Sequence, residues 1–274
     1  MRIKLAENYG FCFGVKRAIR LAERNPDAVT LGPLIHNPKE IERLARDFQV
    51  HVSDSIEGVE PGKRAIIRTH GIEKHKYEKL QNLTGDIIDA TCPFVTKPQE
   101  IVAAMSAEGY QVVIFGDADH PEVKGVRSYA QDDAEVVSSV EELSKVRLAE
   151  RVALVSQTTK KVETFRELAA FLTGRAREVR IFNTICNATF DNQEATRALS
   201  REVDVMLIVG GKNSSNTKQL HAIALENCPD SYLVEDKNDL DPLWLTGKAL
   251  CGITAGASTP DWIIDEVIAS VESL

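Results

Sequence analysis

The chain repeats one pattern three times, and each copy opens with a cysteine. Cys12, Cys92 and Cys186 are each followed by a helical stretch and then by an apolar strand that ends in a glycine turn. A second strand and turn follow in each copy. The cysteines lie roughly 80 to 95 residues apart, whereas the units of solenoid proteins are about 20 to 50 residues long. Each copy is therefore large enough to form a small α/β domain.

Polar side chains occupy matching positions in the turns that end these strands. The first turns of the three copies carry His36, His120 and Ser214, and the second turns carry His70, Thr158 and Ser258. Because strands alternate with helices, each copy predicts a parallel sheet. Such sheets bind ligands beyond the carboxyl ends of their strands, which is where all of these turns are expected.

The predicted fold is α/β, with three similar small domains whose parallel sheets form a pseudo-threefold ring. The expected domains span 12–91, 92–185 and 186–274, and residues 1–11 complete the third sheet. Such a ring would bring the three thiolates to one point. Without any CxxC pair, a closed structural zinc site is less favoured. Three distant thiolates suit an iron–sulfur cluster with one open iron, although the spacing alone does not decide between these centres.

Composition narrows the class of protein further. Of the 274 residues 43% are hydrophobic, and a net charge of −8 with dispersed Lys and Arg disfavours a nucleic-acid partner. The amino terminus lacks an apolar signal core, and no stretch reaches the roughly 18 apolar residues of a membrane helix. Five cysteines, an odd number, argue against a disulfide framework. We expect a soluble, cytoplasmic protein without a membrane partner, in which Cys228 and Cys251 are core residues.

Two segments supply hydroxyl and amide donors at expected helix starts. GGKNSSNT contains Ser214, Ser215 and Asn216, and AGAST contains Ser258. Such residues are usually only helix caps. Loops of this kind also bind phosphate groups, and together with His36, His70 and His120 they predict a diphosphate site.

Glu122, in the segment DHPEV, is the only carboxylate that the repeat places among these neutral donors. A glutamate in the first turn of a helix is ordinarily a cap. In a desolvated pocket, however, its pKa would rise and it could deliver protons near neutral pH. Thr158, the second-turn partner of His120, would orient a substrate hydroxyl or relay the proton.

The motifs as a set resemble one enzyme family along nearly the whole chain, in this order: GFCFGVKRAI, LGPLIHNP, RTHG, DATCPFV, HPEV, SQTT, TICNAT, SSNT and TAGAST. The set is similar to the 4-hydroxy-3-methylbut-2-enyl diphosphate reductases, which catalyse the last step of the non-mevalonate isoprenoid pathway. The resemblance implies a trefoil around a [4Fe–4S] cluster held by Cys12, Cys92 and Cys186, with an open fourth iron. The stretch NATFDNQ after the third cysteine departs from the family pattern and affects only the wall near Asn187.

The resemblance also assigns the remaining site residues. It implies that the diphosphate is held by His36, His70, Ser214, Ser215, Asn216 and Ser258. Glu122 would be the proton source, Thr158 its partner at the hydroxyl, and His120 would line the same cavity and take part in catalysis.

The implied reaction is a two-electron reductive dehydroxylation that gives isopentenyl and dimethylallyl diphosphate, with a ferredoxin or flavodoxin as the electron donor. Two alternatives remain open from the residues alone. A dehydratase would use the same open iron and would work without a reductant. A sensor would use the cluster to report oxygen or iron, but it usually carries a DNA-binding module, of which the sequence shows no sign.

Overall fold

The computed structural model describes residues 1–273 and contains three four-stranded parallel sheets within that range. Their strands are β1 (Arg2–Leu5), β2 (Val29–Leu31), β3 (His51–Ser53), β4 (Ala65–Ile67), β5 (Ile87–Asp89), β6 (Gln111–Phe115), β7 (Glu135–Val137), β8 (Arg151–Ser156), β9 (Glu178–Ile181), β10 (Val205–Val209), β11 (Ser231–Val234) and β12 (Leu250–Ala255). The helices are α1 (Phe13–Glu23), α2 (Pro38–Phe48), α3 (Lys74–Leu83), α4 (Pro93–Ala107), α5 (Pro121–Arg127), α6 (Val140–Leu143), α7 (Val162–Thr173), α8 (Asn187–Ser200), α9 (Ser215–Leu225) and α10 (Asp261–Ser273).

All three sheets have the same strand order. The orders are β1-β12-β10-β11, β5-β4-β2-β3 and β9-β8-β6-β7, and every pairing is parallel. In each sheet the strand before the cysteine lies at one edge, beside the strand that leads into the second turn. The repeat seen in the sequence is therefore a repeat of the fold, and the predicted class, α/β with three similar parallel sheets, is confirmed.

Central strands are buried on both faces, as continuous apolar segments predict. In β10, Val205, Leu207 and Val209 pack in a core with residues of α10, whereas Met206 and Ile208 pack with residues of α8 and α9. Alternate side chains of a strand point to opposite faces. Helices on both faces of the sheet thus account for the unbroken run VMLIV.

The described chain forms two compact units. One contains Met1–Lys16, Ile35–Glu42 and the residues from Asn187 onward, and it holds the sheet of β1, β12, β10 and β11. The other contains Arg17–Leu34 and Arg43–Cys186, and it holds the remaining two sheets. The domain boundaries at Cys12, Cys92 and Cys186 stay a prediction. None of the helices within residues 1–273 is long and apolar enough to cross a membrane.

Candidate active site

Each of the three repeated cysteines immediately precedes a helix and donates its backbone N–H to the second turn of a sheet. The bonds run from Cys12 to the carbonyl of Ala257 (3.2 Å), from Cys92 to Thr69 (3.0 Å) and from Cys186 to Thr158 (3.0 Å). All three side chains are partly exposed. The fold therefore builds the same cysteine-bearing loop three times.

The other two cysteines are core residues, as predicted. Cys228 is 4% exposed, and Cys251 in β12 is fully buried. Burial, together with the neighbouring Cys228, raises the pKa of Cys251 to about 12. Such a thiol stays protonated at neutral pH and is unsuited to bind a metal.

The first unit brings several predicted anion-binding residues to the carboxyl end of its sheet. The side chain of Ser214 caps α9 by accepting the N–H of Thr217 (3.2 Å), and Ser215 is the first residue of that helix. Ser258 donates its hydroxyl to the carbonyl of His36 (3.3 Å). At Gly211 a Cβ atom would lie 2.6 Å from the same carbonyl, so only glycine permits this approach.

Asn216 is the residue in this unit that most clearly indicates a ligand. It is 4% exposed, and neither Oδ1 nor Nδ2 has a hydrogen-bond partner among residues 1–273. An unsatisfied buried polar group costs about 1 to 3 kcal/mol. Since Asn216 lies in the first turn of α9, where backbone N–H groups favour anions, the arrangement suits a polar anionic ligand.

The second unit holds the histidines of the other turns. The rings of His70 and His120 are 5.4 Å apart and meet edge to face. His120 caps α5 by accepting the backbone N–H of Glu122 at Nδ1 (3.2 Å). In the neutral ring the proton is therefore on Nε2, so this nitrogen is a hydrogen-bond donor.

Glu122 is buried and held by Thr158. One carboxylate oxygen accepts the backbone N–H of Thr158 and the other accepts its hydroxyl, each at 2.7 Å. The side chain is 1% exposed. Burial raises the pKa of Glu122 to about 7, against the opposing effects of the Thr158 hydrogen bonds and of Lys160. A carboxyl group with this pKa can donate a proton near neutral pH.

The raised pKa makes stability depend on pH. The native state binds this proton up to about pH 7, whereas the unfolded chain releases it near pH 4.5. As the pH rises from 4.5 through 7, the native state therefore loses on the order of 3 kcal/mol of stability. We expect denaturation midpoints measured across this range to fall more steeply in the wild type than in Glu122→Gln. Equal slopes would contradict the assigned pKa.

The motif SQTT contains a residue whose role the sequence did not indicate. Gln157 is 1% exposed, accepts the backbone N–H of Asp117 at Oε1 (3.0 Å) and donates to the hydroxyl of Thr159 (3.1 Å). It ties the turn before α5 to the turn that carries Thr158. A polar side chain directly after a buried strand is the signal that could have identified it.

Sequence reasoning also missed a buried acidic residue in the first unit. Glu40 is 1% exposed and accepts the indole N–H of Trp262 at 3.1 Å. Its backbone N–H is capped by the side chain of Asn37. These contacts fix the start of α2, which follows His36.

The fold and these side chains define an α/β enzyme with the means to bind an anion and to donate a proton. The model of the LytB protein family matches residues 3–272. The chain is 62% identical over 272 residues to the 4-hydroxy-3-methylbut-2-enyl diphosphate reductase of Wolinella succinogenes, covering 99% of each protein. It is 60% identical to the protein of the same name from Helicobacter hepaticus, over the full length of both.

Solved structures agree with this result. A structure of (E)-4-hydroxy-3-methyl-but-2-enyl diphosphate reductase, the terminal enzyme of the non-mevalonate pathway, is 42% identical and matches the full length of both chains with a TM-score of 0.72. The Plasmodium falciparum reductase is 26% identical, with a TM-score of 0.92 over 100% of this chain and 87% of that chain. This chain belongs to the LytB protein family.

Proposed function

We propose that this chain is a 4-hydroxy-3-methylbut-2-enyl diphosphate reductase of the non-mevalonate isoprenoid pathway. The shared name of its full-length relatives supports this assignment. Within the site, the observation that carries it is the buried Glu122 carboxyl group, held at both oxygens by Thr158. The loss of a hydroxyl group as water requires a proton donor of this kind.

We propose Cys12, Cys92 and Cys186 as the ligands of one [4Fe–4S] cluster with an open fourth iron. The donor chemistry fits, because three partly exposed thiols stand at helix starts with the same backbone contact, and thiolates are the usual ligands of such clusters. When bound, the cluster would supply single electrons and a Lewis-acidic iron for the substrate hydroxyl.

The diphosphate would be held by neutral donors and backbone N–H groups. We assign this role to His36, His70, Ser214, Ser215, Asn216 and Ser258. Buried polar groups without partners gain most from a ligand, because their desolvation cost is met before binding. An anion in this position would accept the N–H of Asn216 Nδ2, which has no partner within residues 1–273.

Glu122 would protonate the departing hydroxyl. Its Oε2 lies 2.7 Å from Oγ1 of Thr158, so the threonine hydroxyl can pass the proton on or orient the substrate oxygen. The protonated Nε2 of His120 would donate a hydrogen bond to the substrate. The whole reaction consumes two electrons and two protons and releases water, with the second proton ending on an allylic carbon.

The electron donor is proposed to be a one-electron protein such as a ferredoxin or flavodoxin. The test of the function is an anaerobic assay of cluster-reconstituted protein with the hydroxylated allylic diphosphate, with and without a one-electron reductant. Reductant-dependent formation of isopentenyl and dimethylallyl diphosphate is expected. Turnover without reductant would instead indicate a dehydratase, and no turnover with an intact cluster would refute the assignment.

Asn216→Leu should weaken substrate binding. The side chain keeps its approximate size but loses both amide groups, so KM should rise about 10- to 100-fold with a smaller change in kcat. Asn227→Leu, at an exposed position that follows α9, is the matched control and should leave KM unchanged. An unaltered KM in Asn216→Leu would remove this residue from the diphosphate site.

A further inference from the structure

We propose that Gln193, on α8, is a further hydrogen-bond donor to the diphosphate. The inference rests on the proposed function and names an additional residue of the same site. It depends on three observations within the first unit. These are the burial of Gln193, its level (its position along the strand direction of the sheet), and the unpartnered polar groups at the same level.

Gln193 is 3% exposed, and its Nε2 has no hydrogen-bond partner in the part of the chain that the structure describes. Nearly all buried polar atoms in proteins are paired. Another residue on the same helix shows the usual arrangement, since the hydroxyl of Thr196 lies 3.1 Å from that of Thr254. The exception at Gln193 therefore indicates that something other than the protein accepts its N–H.

The direction of α8 places Gln193 toward the carboxyl end of the sheet. The helix ends at Ser200, and a short link leads to the amino end of β10 at Val205. The helix thus runs antiparallel to the strands, and its early residues lie near their carboxyl ends. Thr196 is level with Thr254, near the end of β12.

Helical geometry sets the level of Gln193 relative to Thr196. Gln193 precedes Thr196 by three positions, on the same helix face. It therefore lies about 4.5 Å nearer the carboxyl ends of the strands than Thr196 does. Strands advance about 3.3 Å per residue. Gln193 is thus level with the peptide between Ala255 and Gly256, at the carboxyl end of β12.

Further unpartnered groups lie at this level. Thr217 of α9 is fully buried, and its Oγ1 has no partner among residues 1–273. A Cβ atom at Gly256 would lie 2.2 Å from that Oγ1, so the hydroxyl is beside Gly256. Since α8 packs against α9 on one face of the sheet, this position puts Gln193 on the same face as Thr217 and the adjacent Asn216.

These groups share one property: they are polar, buried and unpaired at the carboxyl end of one sheet, beside the start of α9. Phosphate oxygens accept several hydrogen bonds at once, and the helix start already favours an anion there. An Nε2–H donor from Gln193 completes a set of neutral donors for the diphosphate. It is a binding residue and transfers no proton.

The test uses cluster-reconstituted protein and inorganic diphosphate, so that binding is read without turnover. Gln193→Met keeps the approximate size but removes the donor. Because an unpaired buried amide destabilises the unliganded protein, the Tm of this variant should be equal to or above that of the wild type. Its Kd for diphosphate should rise about 10- to 100-fold, and KM should follow.

Two further variants make the result decisive. Gln193→Glu keeps the shape of the side chain but presents an acceptor, and it should weaken diphosphate binding at least as much. Thr196→Val, on the same helix face but with a partner in the protein, should lower the Tm and leave the Kd unchanged.

A lower Tm with an unchanged Kd in Gln193→Met would make this residue structural and overturn the inference. An equal rise of Kd in Thr196→Val would do the same, because it would point to general packing. If the wild type binds diphosphate through Gln193 but does not reduce the allylic substrate, the proposed function fails and this inference stands.

Discussion

Glu122→Gln is expected to lower kcat by about 10²- to 10⁴-fold, the usual contribution of a positioned general acid. The amide has nearly the same shape as the acid and can still accept a hydrogen bond from Thr158, but it has no proton to give at neutral pH. Iron content and KM should change little. Steady-state kinetics under anaerobic conditions, with the iron content of each preparation measured, would show whether kcat falls while KM stays nearly the same.

The matched control is Asp119→Asn, a carboxylate in the same turn whose side chain is 98% exposed. It should retain wild-type kcat, because it is neither desolvated nor bonded to Thr158. Near-normal turnover in Glu122→Gln would remove Glu122 from its role. An equal loss in both variants would indicate that the charge of the turn matters and the buried acid does not.

Cys92→Ser is expected to abolish an intact four-iron cluster and, with it, detectable reductive turnover. A serine hydroxyl stays protonated near neutral pH and does not replace a thiolate ligand. The backbone of the loop should be unaffected, since the bond from the N–H of residue 92 to Thr69 does not involve the side chain. Iron and sulfide analysis and the visible and EPR spectra of the reconstituted protein are the measurements.

Cys251→Ala is the control for this prediction. Cys251 is fully buried in β12, with a pKa raised to about 12, so its removal should lower the Tm through lost packing and leave the iron content intact. A complete, spectroscopically normal cluster in Cys92→Ser would break the proposed ligand set. Loss of iron in both variants would show that stability governs cluster retention.

Local patterns in the sequence predicted the class of fold, because short apolar strands alternate with helical stretches along the chain. The continuous apolar runs VMLIV and VVIF form the central strands β10 and β6, where every residue of these runs is buried. The edge strands β3, β5 and β7 have only three residues each, which is too short for a periodic signal.

The candidate site was predictable only as a set of aligned residues. The repeat put Glu122 and Thr158 in the first and second turns of the same copy. Nothing in the sequence showed that both carboxylate oxygens would accept hydrogen bonds from one threonine 36 positions away. The sequence offered one signal for Gln157, its position directly after a buried strand, and none for Gln193, which lies inside a helix.

The sequence by itself determined the threefold repeat, the parallel α/β sheets and the positions of three cysteines before helices, since each depends on residues close together in the chain. The tertiary structure decided which distant groups meet, such as Ser258 with the carbonyl of His36, and which buried polar atoms lack a partner. Hydrogen bonds between remote residues depend on the packing of whole elements. The pKa of Glu122 near 7 likewise exists only where the folded chain excludes water from its carboxyl group.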